Sequence, residues 1–160
     1  MLKIQPYKTF IRLLFKYIAS LGFIGFLPIA PGTWGTLAGF VFLWLVQVDG
    51  FYLLILSLIV LVIGVFAAQI AEEEFNKKDS GHIIIDELCG YFVSVVFIEQ
   101  SMSVLIAGFF LFRFFDIVKP QPVRLCEKLP GGFGVMLDDV MAGIYANIVI
   151  QIVILTGLWK

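Results

Sequence analysis

The chain has 160 residues, of which 61% are hydrophobic and 14% charged, with a formal net charge of -1. That length holds one domain, residues 1–160, and a soluble domain of this size could not bury so much apolar surface when ordinary domains carry roughly 25% charged residues. The small net charge gives no sign of a nucleic-acid partner, two cysteines without framework spacing read as free thiols, and long apolar blocks point to an all-α, multi-pass membrane protein.

At the amino terminus, MLKIQPYKTFIRLLFKYIASLGF mixes basic and apolar residues. Arg12 and Lys16 break what would be the apolar core of a signal peptide, so that reading fits poorly. Lys8, Arg12 and Lys16 recur every four residues while Ile11, Leu14, Phe15 and Ile18 occupy another face, the pattern of an interfacial helix lying on anionic lipid. A Gly/Pro-rich loop follows, GFIGFLPIAPGTWGTLAG from Gly22 to Gly39. It lacks the GxxxxGK(S/T) pattern of a nucleotide-binding loop. Pro28 and Pro31 interrupt a helix, and Gly32 and Gly35 free the backbone around Thr33, so that its N–H groups and the following helix start could hold an anion. The plainer alternative is a glycine-rich hinge in which Thr33 or Thr36 caps the helix.

Five crossings are expected, at about 33–48, 51–70, 83–98, 104–119 and 139–158. The second is long enough for a hydrocarbon core of ~30 Å, which takes about 20 helical residues, and the shorter ones reach that length only with their charged ends included. Five crossings put the amino-terminal segment, the 72–82 connection and the 119–138 connection on one side. Those regions and the adjoining helix ends carry ten of the eleven Lys and Arg: Lys3, Lys8, Arg12, Lys16, Lys77, Lys78, Arg113, Lys119, Arg124 and Lys128, leaving Lys160 opposite. Basic residues in short loops mark the cytoplasmic side, so the amino terminus is expected inside.

The acidic residues follow the same arrangement. Asp86 and Glu87 open the third crossing, Arg113 and Asp116 lie near the end of the fourth in FFLFRFFDIVKP, and Asp138 and Asp139 open the fifth. Ionisable groups at one depth near a membrane face are costly unless they meet each other, a metal or a charged ligand. Arg113 and Asp116, three apart on a helix, could simply pair, and Asp86 and Glu87 could serve as helix-start charges. Asp139, Gly143, Asn147 and Gln151 recur every four residues, a polar stripe that turns toward protein, where interhelical hydrogen bonds would also account for Asn147 and Gln151. With one histidine, His82, a multi-histidine zinc centre is excluded, and oxygen ligands suit Mg²⁺. Carboxylates beside Arg113 and Lys119 suggest a metal-assisted site for a phosphorylated molecule.

Four ordered stretches resemble the phosphatidylglycerophosphatase A family of bacterial membrane enzymes: PIAPGTWGT at 28–36, DELCG at 86–90 within DSGHIIIDE, FRFFDIVKPQP at 112–122 and GGFGVMLDDVMAG at 131–143. The resemblance covers almost the whole chain. It implies a small helical domain in the bacterial cytoplasmic membrane, Mg²⁺ as cofactor, and conversion of phosphatidylglycerophosphate to phosphatidylglycerol. The family's motif residues fall on Asp86, Glu87, Arg113, Asp116, Lys119, Asp138 and Asp139. On this reading the metal ligands come from among Asp86, Glu87, Asp138 and Asp139, Arg113 grips the phosphoryl group with Lys119, and Gly32 and Thr33 contribute backbone contacts. Asp116 could orient Arg113, act as base or attack directly. The alternatives are another lipid-phosphate phosphatase, a headgroup phosphotransferase, or, in another class, a small ion channel or transporter. Nothing in the sequence indicates a homo-oligomer.

Overall fold

The computed structural model describes residues 6–157, and side chains from residue 9 onward, so Lys3, Lys160 and the side chain of Lys8 lie outside the described residues. The described chain is all-α. Its helices are α1 (Pro6–Ala19), α2 (Pro31–Val46), α3 (Gly50–Phe75), α4 (Ile85–Ser94), α5 (Met102–Val118), α6 (Val123–Cys126) and α7 (Gly132–Leu155), with a 3₁₀ turn at Ile24–Phe26. Two of them, α3 and α7, are long and apolar enough to cross a membrane, and α2 is a shorter apolar helix. At 1.5 Å per residue α3 extends ~39 Å and α7 ~36 Å, whereas α2 and α5 reach about 25 Å and α4 only ~15 Å.

Two ends of the bundle can be told apart by their contacts. The turns at 47–50 and 97–101 meet at one end, where Gln100 Nε2 donates to the Val48 carbonyl at 2.8 Å and Gly50 packs against Phe97. The connections at 20–30, 76–84 and 119–131 gather at the other, where the His82 ring nitrogen Nδ1 lies 2.8 Å from the Gly25 carbonyl and Lys78 Nζ donates to the Glu127 carbonyl.

Helix α4 occupies the centre, against α2, α3, α5 and α7. Its crossing with α7 needs glycine on both helices. A Cβ on Gly90 would stand 2.6 Å from the Asp139 carbonyl oxygen, and one on Gly143 would strike the Gly90 carbonyl. Around this crossing Tyr91, Phe92, Val95, Leu105, Phe112, Ala142 and Ala146 form the main core, with the Tyr91 hydroxyl donating to the Leu105 carbonyl at 3.0 Å. A second core joins α1, α3 and α7 through Ala19, Ala67, Ala68, Ala71 and Met136.

Several boundaries differ from the sequence expectation. Helix α4 stops at Ser94 instead of continuing to 98, because Asn147 Nδ2 on α7 donates to the carbonyls of Val93, Ser94 and Val96 at 3.2, 3.2 and 2.9 Å. One amide thus answers carbonyls that a helix end leaves open. Helix α7 starts at Gly132, seven residues before the expected 139, with Gln69 Oε1 accepting from the Gly132 N–H at 3.2 Å. Gly132 is needed for packing, since a Cβ there would collide with the Val65 carbonyl of α3. Asp138 and Asp139 therefore stand in the second turn, not at the helix start.

Helix α1 also differs from expectation. Arg12 turns inward to Glu74 at 2.9 Å and Glu73 at 3.3 Å, and Lys16 Nζ lies 4.6 Å from the Phe75 ring centroid. These two cations engage the end of α3, while Phe10, Leu13, Leu14 and Tyr17 are exposed. The helix thus turns these cations toward α3 and presents apolar side chains outward.

Candidate active site

Helix α4 begins at Ile85 without a side-chain cap, so Asp86 and Glu87 do not serve as N-caps. Both carboxylates point into the protein. The ligand oxygens of Asp86, Glu87 and Asp139 lie within 4.8 Å of one another. Asp86 is 7% exposed and Asp139 3%, and Asp86 Oδ1, Glu87 Oε2 and Asp139 Oδ2 are all buried without a hydrogen-bond donor. Three converging carboxylates with three unanswered oxygens could hold a cation among them, which would offset the cost of burying charge without a partner. The donor set is all oxygen. Ligands around Mg²⁺ at ~2.1 Å stand roughly 3 to 4 Å apart, so the triad needs only a small inward adjustment to suit such an ion.

Arg113 and Asp116 on α5 form the next layer. Arg113 Nη1 is 2.7 Å from Asp116 Oδ2 and 3.9 Å from Glu87 Oε1. The first contact is an ion pair whose angle is not that of a hydrogen bond, which leaves Nη1 buried without an acceptor. Thus a cation with unused donors borders the acidic triad. The Gly/Pro-rich loop closes over the same place. Pro31 begins α2, Ala30 before it adopts φ 47°, and a Cβ on Gly32 would run into the Glu87 carboxylate and come within 3.3 Å of Arg113 Nη1. A side chain at position 32 would therefore displace the Glu87 carboxylate. The Thr33 N–H donates to the Ala30 carbonyl at 2.9 Å, and the Thr36 hydroxyl to the Gly32 carbonyl at 3.0 Å, so Thr36 braces the first turn from within.

Asp138 and Lys119 fall slightly apart from this group. Lys119 Nζ lies 2.7 Å from Asp138 Oδ2 and 3.6 Å from Glu127, and Asp138 Oδ1 accepts from the Asp139 N–H at 3.0 Å. Both oxygens of Asp138 are thus engaged, unlike those of its neighbour. The four carboxylates among which metal ligands were expected divide into a triad, Asp86, Glu87 and Asp139, and a salt-bridged Asp138. Sequence reasoning overlooked Glu127, the acid between Arg124 and Lys128 in the loop that Lys119 opens; the alternating charges there were the available signal.

The family model for phosphatidylglycerophosphatase A matches residues 17–154. A Haemophilus influenzae protein described as phosphatidylglycerophosphatase A is 41% identical over 141 residues, covering 84% of this chain and 85% of the relative. An Escherichia coli protein with the same description is 33% identical over 134 residues, 80% of this chain and 77% of the relative. A Bacteroides thetaiotaomicron protein described provisionally as a phosphatidylinositol-3-phosphatase is 37% identical over 137 residues, 80% of this chain and 86% of the relative. No solved structure matches the chain. With the family model spanning nearly every element that builds the charged site, the chain belongs to the phosphatidylglycerophosphatase A family.

Proposed function

We propose that this protein hydrolyses the terminal phosphomonoester of phosphatidylglycerophosphate, giving phosphatidylglycerol, at the cytoplasmic face of the bacterial inner membrane. The observation that carries the reading is the buried triad of Asp86, Glu87 and Asp139 with unanswered oxygens, bordered by Arg113 with an unanswered donor. An acidic cluster alone would take a cation; the adjacent guanidinium adds a partner for an anion. Together they suit a metal-coordinated phosphate.

Asp86, Glu87 and Asp139 would hold Mg²⁺. That ion supplies neutralisation of phosphate charge and a more acidic water. Arg113 would present its planar donors to two phosphoryl oxygens, and Asp116, at 2.7 Å, holds the guanidinium at the site by charge. Gly32, lacking a side chain, lets the loop pack directly against the Glu87 carboxylate beside Arg113. Lys119, held by Asp138 and Glu127, contributes positive potential at the margin of the site. Hydrolysis then requires water to add to phosphorus and the bond to the glycerol oxygen to break. The site's placement at a helix end lets the headgroup enter while the acyl chains stay in lipid.

The topology we infer is five crossings, formed by α2, α3, α4 with the turn after it, α5 and α7, with the amino terminus cytoplasmic. The ten-to-one division of Lys and Arg supports it. In a Cys126→Ser background, an impermeant thiol reagent added outside sealed right-side-out cells should label Ser101→Cys and spare Lys128→Cys. The reverse pattern would invert the orientation.

The substrate is tested by phosphate release from phosphatidylglycerophosphate, phosphatidic acid, phosphatidylinositol 3-phosphate and undecaprenyl pyrophosphate in one panel. The first should be the fastest. A second reading, a phosphoinositide monoester as substrate, is favoured by the description of the 37% identical Bacteroides relative and would be adopted if the third substrate leads. Headgroup phosphotransfer predicts a dependence on an acceptor alcohol that simple hydrolysis lacks. Conduction through the bundle is less well supported, because Asn147 and Gln151 in the outer half of α7 are occupied by carbonyls at and just after the end of α4 and by each other.

A further inference from the structure

Two cavities outside the charged site share one residue and differ in character. One, of about 460 Å³, lies at the site end of the bundle and is lined by Leu27, Pro28, Pro31, Phe75, Lys77 and His82 among others. The other, of about 440 Å³, runs along the outer face of α2 and is lined by Ile24, Leu27, Trp34, Ala38, Val41 and Phe42. Leu27 lines both, so the two cavities adjoin at that side chain and are treated as the two parts of one groove.

The upper part carries cationic groups and no carboxylate. Lys77 lines it, and Lys16 Nζ stands 4.6 Å from the centroid of Phe75, one of its walls. Of the acids at the end of α3, Glu73 and Glu74 are engaged by Arg12, and Glu72 accepts from the Asp79 N–H at 2.7 Å. The lower part is apolar. From Trp34 to Phe42 it follows α2 for eight residues, ~12 Å, close to the depth of one leaflet of a ~30 Å hydrocarbon core. Ala38 forms its floor between larger side chains, and Trp34 is fixed at its upper edge by Nε1 donating to the Ile29 carbonyl at 3.0 Å, as suits an indole at the interface.

A cationic head above a one-leaflet apolar trough has the layout of a phospholipid. We propose that this groove binds an anionic phospholipid of the surrounding bilayer, separate from the lipid that enters the charged site. The loop at 28–32 is the wall between them: Pro28 and Pro31 face the groove, while Gly32 abuts Glu87 and Arg113 on the other side. A lipid in the groove would therefore brace the loop that covers the active site. This inference rests on the chain's membrane placement and not on its substrate.

Trp34 makes the groove observable. With Trp44→Phe and Trp159→Phe, Trp34 is the sole indole, and lipids carrying brominated chains quench it on contact. The protein in nanodiscs should be quenched by brominated phosphatidylserine at a mole fraction about five-fold lower than by brominated phosphatidylcholine, the ratio that ~1 kcal/mol for one lysine at an anionic surface corresponds to. Lys77→Gln should remove the preference, and Ala38→Phe, by filling the trough, should weaken quenching by both lipids. Circular dichroism identifies a variant that has not folded; the exposed Lys77→Gln keeps the test available if Ala38→Phe fails. Equal quenching by the two lipids, or a preference untouched by Lys77→Gln, overturns the proposal. So does a preference lost in Arg113→Gln, which would assign the lipid to the active site. Because the probe is neither substrate nor product and no turnover is read, a failed phosphatase panel leaves this result standing.

Discussion

The two ends of the bundle treat their polar residues in opposite ways. At the 47–50 and 97–101 end, Asp49 caps α3 by accepting from the Phe51 N–H at 2.9 Å, Ser101 caps α5 by accepting from the Val104 N–H, and Gln100 ties the two turns together. These are local structural tasks, and the ionisable residues Asp49 and Glu99 are exposed to water. At the other end Asp86, Asp138 and Asp139 are buried, Glu87 and Arg113 nearly so, and four of these five leave a polar atom unanswered or placed for a ligand. Gln100 Oε1 is also unanswered, but it is a neutral amide oxygen and costs far less than a carboxylate. Charge at a helix end is therefore uninformative until burial and satisfaction are counted.

The sharpest way to break this contrast is at the triad. Asp139→Asn should lower kcat/KM for phosphatidylglycerophosphate by about 10³-fold, ~4 kcal/mol of transition-state stabilisation. The same change should leave the metal-free protein's Tm unchanged or higher, because it removes one of three mutually repelling buried carboxylates. Measuring both quantities on one preparation separates a functional site from a structural charge network. A large fall in Tm with proportionate loss of activity would assign the triad to stability.

Arg113 comes next. Replacement by lysine retains charge but loses the rigid fork, and should cost on the order of 100-fold in kcat/KM, ~3 kcal/mol. If Arg113 merely balances Asp116, the paired change Arg113→Gln with Asp116→Asn should restore activity near normal, since removing both members of a buried pair can be nearly neutral. Steady-state kinetics of the single and double variants decide between the two, and the 3.9 Å approach of Arg113 to Glu87 predicts no restoration.

Asp138→Asn should have a smaller effect than Asp139→Asn, about ten-fold, although the residues are adjacent. Its oxygens are taken by Lys119 and the Asp139 N–H, so it acts by positioning Lys119 and not at the metal. The distinguishing measurement is the Mg²⁺ concentration giving half-maximal rate, which should rise steeply for Asp139→Asn and little for Asp138→Asn. Equal shifts would return Asp138 to the ligand set.

Much of this was legible in the chain because both hydropathy and charge are patterned one residue at a time. The blocks of apolar residues gave the helices, and the repeated acidic pairs gave the end at which to look. What periodicity could not show was where a helix yields to a neighbour. Asn147 reads as a polar residue on an apolar helix, yet its amide ends α4 through three carbonyls. Gly131, Gly132 and Gly134 read as the end of a proline-stiffened loop where backbone could approach closely; Gly132 and Gly134 are packed closely against other backbone but are helical, with Gln69 answering the Gly132 N–H from 63 residues away. The unequal fates of Asp138 and Asp139 had the same origin: adjacency on a helix is ~100° of rotation, and only the placement of Lys119 and α4 decides which carboxylate faces which.

The smallest effect is expected at the opposite end, and it serves as the control for all the rest. Glu99→Gln should change kcat/KM by less than about two-fold and leave Tm within about a degree, as surface substitutions without special contacts generally do. Asp49→Ala should also leave kcat/KM near normal, but cost ~1 kcal/mol of stability through loss of the α3 cap, read as a lower Tm. The contrast with Asp139→Asn is then complete in both directions: a buried carboxylate whose loss removes activity without destabilising the protein, and an exposed one whose loss destabilises it without touching activity. If Asp49→Ala lowered kcat/KM as much as Tm, the two ends would be coupled through α3, and the charges at the site end could no longer be interpreted as an independent unit.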